Sequence, residues 1–218
     1  MTAFAWLAAA LFAAYLALLA ALHVTDRSRN VWRDPVRDYA VGASRPLGLA
    51  MGAAGTGGVL ALAAAFALAG LPTWLWLCTA GAGVARIGAN VFPTDLEGAP
   101  RTTAGRLHML CAVAWFTLLY AAIDNATPLL TARWAGTGAE VLGALRWASA
   151  VGLAALVACL VIKPLRAWFG LAERVFLIAA PLWCLWAAAG LALRGCAGFS
   201  GQNSRRRLSD LRKQLSIQ

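Results

Sequence analysis

The residues best suited to chemistry sit in one short polar stretch, Phe92-Pro93-Thr94-Asp95-Leu96-Glu97-Gly98-Ala99-Pro100-Arg101-Thr102-Thr103-Ala104-Gly105-Arg106-Leu107-His108. It joins two apolar runs and holds two carboxylates, two arginines and one of the chain's two histidines. Asp95, Glu97 and His108 are the residue types that exchange protons with a bound group, so the loop has the makings of a general acid and base acting on a lipid headgroup. No activated serine or cysteine motif accompanies them, and nucleophilic catalysis has no support. A structural reading explains the same residues. Pro93-Thr94-Asp95 ends one helix, Gly98 and Pro100 turn the chain, and Thr102 or Thr103 caps the next helix.

Other polar residues lie at the edges of apolar runs. Arg86 falls one to two turns inside such a run, with Asn90 four residues on along the same helical face. A charge in that setting is costly and marks a functional candidate, or else snorkels to the interface or pairs with Asp95. Glu173 and Arg174 open a later run behind the interfacial Trp168; Asp124 and Asn125 close another before Pro128, which is expected to break that helix. His23 and His108 stand at similar depth on different helices. They are the minimum pair for axial haem ligation, or with Asp26 and Asp95 for a metal site. No ligand spacing backs either arrangement, so no cofactor is expected.

The elements that must hold these groups are apolar. The chain is 61% hydrophobic and 13% charged over 218 residues, too apolar for a soluble domain. Six runs long enough to cross about 30 Å of hydrocarbon fall near 3–23, 47–70, 73–91, 107–124, 141–162 and 174–194. They are continuous rather than alternating, which excludes a β-barrel. The expectation is an all-α, polytopic bundle of six transmembrane helices over residues 1–199, with a basic tail at 200–218. The first run lacks a basic leader and reads as a retained helix. Gly48 and Gly52 stand in GxxxG spacing, with Gly55, Gly57 and Gly58 a turn on, and read as helix-packing residues. Five cysteines without a CxxC pair read as small apolar packing residues.

A net charge of +10 first suggests nucleic acid. The arginines cluster beside apolar runs, however, which points to membrane orientation and anionic lipid instead. Loops 24–46, 92–106 and 163–174 fall on one side and carry ten basic residues. The positive-inside rule places them in the cytoplasm of a bacterial inner membrane, with both termini outside. The tail (Arg205, Arg206, Arg207, Arg212, Lys213) argues the other way. Leu208, Leu211 and Leu215 would make it a basic amphipathic helix, unless it is simply a charged, disordered end.

Asp34-Pro35-Val36-Arg37-Asp38-Tyr39-Ala40-Val41-Gly42 resembles the first-loop motif of domain-of-unknown-function family 998. Phe92-Pro93-Thr94-Asp95 followed by Gly98, Thr102, Gly105, Arg106, Leu107 and His108 resembles its central signature. Gly170-Leu171-Ala172-Glu173-Arg174 and the run with Trp183 resemble the start of its last helix. The resemblance covers residues 5–194 and leaves out the tail. It implies a six-helix bacterial or archaeal membrane protein of unassigned activity, distantly similar to the Frag1, DRAM and Sfk1 type, some of which are tied to lipid handling. Arg37 stands where the family commonly has serine.

Asp34, Asp38, Arg86, Asn90, Asp95, Arg106, His108, Glu173 and Arg174 all fall near the basic-loop face. They are the candidate ligand-binding set for a lipid or amphiphile headgroup, without catalysis. A second reading, prompted by ten tryptophans, many small residues and the tail, is an accessory subunit of a larger membrane complex. An enzyme acting on a lipid headgroup ranks last.

Overall fold

The computed structural model describes residues 1–27, 29–40, 42–95, 100, 102–134 and 136–215, with side chains described through Arg194. Six long helices follow one another: α1 (Thr2–Thr25), α2 (Arg45–Leu68), α3 (Thr73–Val91), α4 (Thr103–Thr131), α5 (Thr137–Val161) and α6 (Phe169–Leu215). Three 3-10 turns, Val36–Ala40, Gly42–Ser44 and Lys163–Trp168, lie in the connections at the basic-loop end. Helix is what such a sequence must form in lipid, since every backbone donor and acceptor has to be satisfied within the segment.

Local chemistry sets the ends. Gly70, at φ +70°, makes the tight turn before α3, a left-handed conformation that favours glycine. Phe92 is extended because Pro93 follows it, and α3 stops there. Thr102 caps α4, its hydroxyl accepting from the Gly105 N–H at 3.0 Å. α4 departs from expectation at its far end. It does not break near Pro128 but runs through it to Thr131. Pro128 gives up the helical bond to the Asp124 carbonyl; the Thr127 and Thr131 hydroxyls donate instead to the carbonyls of Ile123 at 2.6 Å and Pro128 at 3.3 Å, so they do not replace it. α6 likewise starts at Phe169, earlier than its apolar run suggests, and contains Pro181.

The helices form a closed ring. α1 packs on α2 and α6, α3 on α2 and α4, and α5 on α6; α4 and α5 share the loosest of these seams. Phe12, Tyr15, Phe66, Phe176 and Trp183 fill the interior. Close approach is bought with small residues: a Cβ on Gly152 would meet the Phe176 backbone nitrogen at 2.7 Å, and one on Gly58 the Phe12 ring at 3.2 Å.

Five stretches are long and apolar enough to cross a membrane: α1, α2, α4, α5 and Lys163–Arg194. The chain is a multi-pass integral membrane protein. α3 does not reach the same apolarity, although it has 19 residues and completes the ring. The reason is local: Arg86 and Asn90 lie on it.

Candidate functional site

A cavity of about 490 Å³ lies at the basic-loop end, lined by residues from all six helices and from the first loop. Its floor is built around Arg86, five residues before the end of α3 and so about 8 Å inside it at 1.5 Å per residue. Arg86 is only 5% exposed. Its guanidinium lies 3.9 Å from the ring centre of Trp115 on α4 and 5.1 Å from that of Tyr15 on α1. Its Nε donates to the Gly52 carbonyl in a long hydrogen bond of 3.5 Å. Among the described residues no carboxylate pairs with it, and the cation is held by ring faces.

The α2 glycines explain how it fits. A Cβ on Gly55 would stand 2.5 Å from Arg86 Nη2, and one on Gly52 would stand 2.9 Å from Asn90 Oδ1. These residues were expected to bring helix backbones together; what they make room for is two polar side chains from α3. Asn90 Nδ2 donates to the Thr56 hydroxyl at 3.1 Å, and that hydroxyl donates to the Gly52 carbonyl at 2.9 Å. Among the described residues six buried side-chain polar atoms have no hydrogen-bond partner; three lie on lining residues (Tyr15 Oη, Trp115 Nε1 and Arg37 Nε, the last 3.9 Å from Asp38) and three elsewhere (Arg29 Nε, Tyr39 Oη and Arg174 Nη2).

Four of the nine residues singled out from the sequence line this cavity: Arg86, Asn90, His108 and Glu173. His108 donates from Nδ1 to the Phe92 carbonyl at 3.0 Å, which leaves Nε2 as an acceptor. Glu173, 7% exposed, accepts the Val36 N–H at 2.6 Å and ties the first loop to α6. The other five are placed elsewhere. Arg174 is held largely by structure: Nε donates to His23 Nε2 at 2.7 Å and Nη1 to the carbonyls of Asp34 and Gly170 at 2.8 and 2.9 Å, while Nη2 is buried without a partner among the described residues. His23 in turn donates from Nδ1 to the Leu19 carbonyl at 2.7 Å. The Asp34 carboxylate accepts the Asn30 N–H at 2.8 Å, and Asp38 lies 3.9 Å from Arg37.

Asp95 does not pair with Arg86. Its carboxylate folds over the start of α4, accepting the Thr102 N–H at 3.0 Å and the Thr102 hydroxyl at 2.7 Å. A Cβ on Gly105 would overlap that carboxylate, which is why glycine stands there. Arg106 is exposed and outside the lining. Glu97 and Arg101 lie outside the described residues. Sequence reasoning passed over Tyr15, Arg37, Arg45 and Trp115, all of which line the cavity. For Tyr15 a signal existed, since it is the one hydroxyl inside the otherwise aliphatic middle of the first run.

The segments that carried the family resemblance converge in pairs: Asp34 and Gly170 meet on Arg174, while Phe92 meets His108 and Asp95 meets Thr102 and Gly105. The family described as Protein of unknown function (DUF998) matches residues 5–190. The chain belongs to that family. No curated protein and no solved structure matches the chain. In this DUF998 protein, then, most residues of the recognisable motifs are bracing, and Arg86, Asn90, Tyr15 and Trp115 form the polar part of the cavity behind them.

Proposed function

We propose that the protein binds the headgroup of an anionic membrane amphiphile in the cavity at its basic-loop end and performs no reaction on it. The observation that carries this reading is Arg86, buried, flanked by Trp115 and Tyr15 and, among the described residues, without a carboxylate partner. An unpaired buried cation costs several kcal/mol, and a bound anion offsets that cost. Arg37 and Arg45 bring the lining to three arginines against the one carboxylate of Glu173, so the net charge of the site favours an anion. Among the described residues the lining has no serine or cysteine to act as nucleophile. In this reading the protein sits in a bacterial cytoplasmic membrane with its basic loops toward the cytoplasm, the side that the positive-inside rule assigns them.

Native mass spectrometry of protein extracted gently from its own membrane tests the proposal. The expected result is a discrete added mass of an anionic lipid on the native chain, absent from Arg86→Met and retained by Arg106→Ala. Equal lipid occupancy in native chain and Arg86→Met, both folded, overturns it.

A further inference from the structure

Resting on that reading, we infer that the ligand is a phosphate-bearing amphiphile whose chain leaves the cavity sideways, between α4 and α5, into the bilayer. The headgroup class follows from the donors. Arg86, Arg37 and Arg45 line the cavity from α3, the first loop and α2, with Glu173 as the one carboxylate of the lining. A carboxylate has two oxygens to set against three guanidinium groups from three elements; a phosphate ester has more, and arginine is suited to holding it.

The route follows from volume and seams. A cavity of about 490 Å³ matches a drug-sized ligand, which accommodates a headgroup and the start of its chains but not two full acyl chains. The rest of the ligand must pass between two helices. The α2–α3 seam is closed by Asn90 on Thr56 and by Leu60 over Gly83; α3–α4 is closed by Cys111 against Gly88. Arg174 on His23 closes α1–α6, and the Phe176 backbone against Gly152 closes α5–α6. Only α4 and α5 remain loosely joined. They are held together at the opposite end by their short connection and by the Arg146–Asp124 ion pair at 2.6 Å. Toward the basic-loop end the cavity lies between them, with Met109, Val113 and Phe116 on one side and Leu156 and Leu160 on the other. Every one of these is apolar, and Met109, Val113 and Leu160 are exposed. Hydrocarbon fits such a gap and charge does not.

The test is photocrosslinking in phosphatidylcholine vesicles doped with phosphatidylglycerol that carries a diazirine at one acyl terminus. The expected labelled peptides contain residues 109–116 and 156–160, with labelling reduced at least tenfold in Arg86→Met and several-fold in the milder Arg45→Ala. Leu160→Trp, at an exposed lining position that leaves the arginine in place, is expected to abolish labelling at both peptides. Labelling that depends on Arg86 but falls on Leu49 and Val91 overturns the exit route and leaves the headgroup reading intact. Labelling indifferent to Arg86 and spread over outward residues such as Trp147 and Val151 overturns the headgroup reading itself. Competition decides the class: excess phosphatidylglycerol is expected to remove the label and equimolar oleate to leave it. Equal competition by oleate refutes the phosphate assignment.

Discussion

Adding a single methyl group at Gly55 tests whether Arg86 lies where the cavity requires it. A Cβ there falls 2.5 Å from Nη2, 2.6 Å from Cζ and 3.0 Å from Nε of Arg86. Ordinary contact is about 3.5–4.0 Å, so the guanidinium must move by about 1 Å. The Trp115 ring centre at 3.9 Å and the Tyr15 ring centre at 5.1 Å block two directions, so the shift is made at the expense of the ring contacts or into the cavity. Overpacking of this kind costs about 1–3 kcal/mol, and alanine returns about 1 kcal/mol as a better helix former than glycine. Gly55→Ala is therefore expected to destabilise by about 0–2 kcal/mol. In an Arg86→Ala background the obstruction is gone, and the same change is expected to stabilise by up to about 1 kcal/mol. The coupling between the two positions is then about 1–3 kcal/mol. Reversible unfolding in mixed detergent micelles, followed by tryptophan fluorescence in all four proteins, measures it. Additivity within about 0.5 kcal/mol would refute the placement of Arg86 against α2, and the binding argument with it.

Thr102→Ala removes both the α4 cap and the hydroxyl that Asp95 holds, and is expected to cost about 1–2 kcal/mol in the same unfolding assay while lipid retention stays at the native level. Arg146→Leu strands Asp124 without its cation and is expected to lower the melting temperature clearly, whereas Asp124→Leu combined with Arg146→Leu recovers at least half of that loss. A double variant no more stable than Arg146→Leu alone would show that the pair does more than satisfy its own charges.

The architecture was largely readable from hydropathy, because length and apolarity are properties of single segments. Helix ends were less so. Pro128 is a helix breaker by rule, yet α4 runs through it to Thr131, packed against its neighbours in the ring. The site was legible where burial itself is the signal: Arg86 and Asn90 stood out because charge and amide are anomalous in an apolar run. Asp95, Arg106 and Arg174 drew attention as charges in or beside the polar loops at that face, yet what a charged residue near an interface touches depends on the fold. Arg174 turned inward to His23 and the first-loop carbonyls, and Asp95 turned onto Thr102. Tyr15 and Trp115 look like ordinary core aromatics in sequence. They become site residues because a distant arginine lies between them. The α2 glycines were read as a packing stripe, and no one-helix pattern could tell backbone contact from space for Arg86.

The bond from Arg174 to His23 joins residues 151 positions apart in the chain. At a synthesis rate of roughly 5–20 residues per second, the first helix waits roughly 8–30 s in the membrane before its partner is made. During that interval Tyr15 is already in place, but the wall contributed by Glu173 and Leu177 has yet to emerge from the ribosome. The cavity is thus incomplete until α6 has been made. Truncation before the last helix removes Glu173 and Leu177 from the cavity wall while leaving Arg86 its neighbours Tyr15, Gly55 and Trp115.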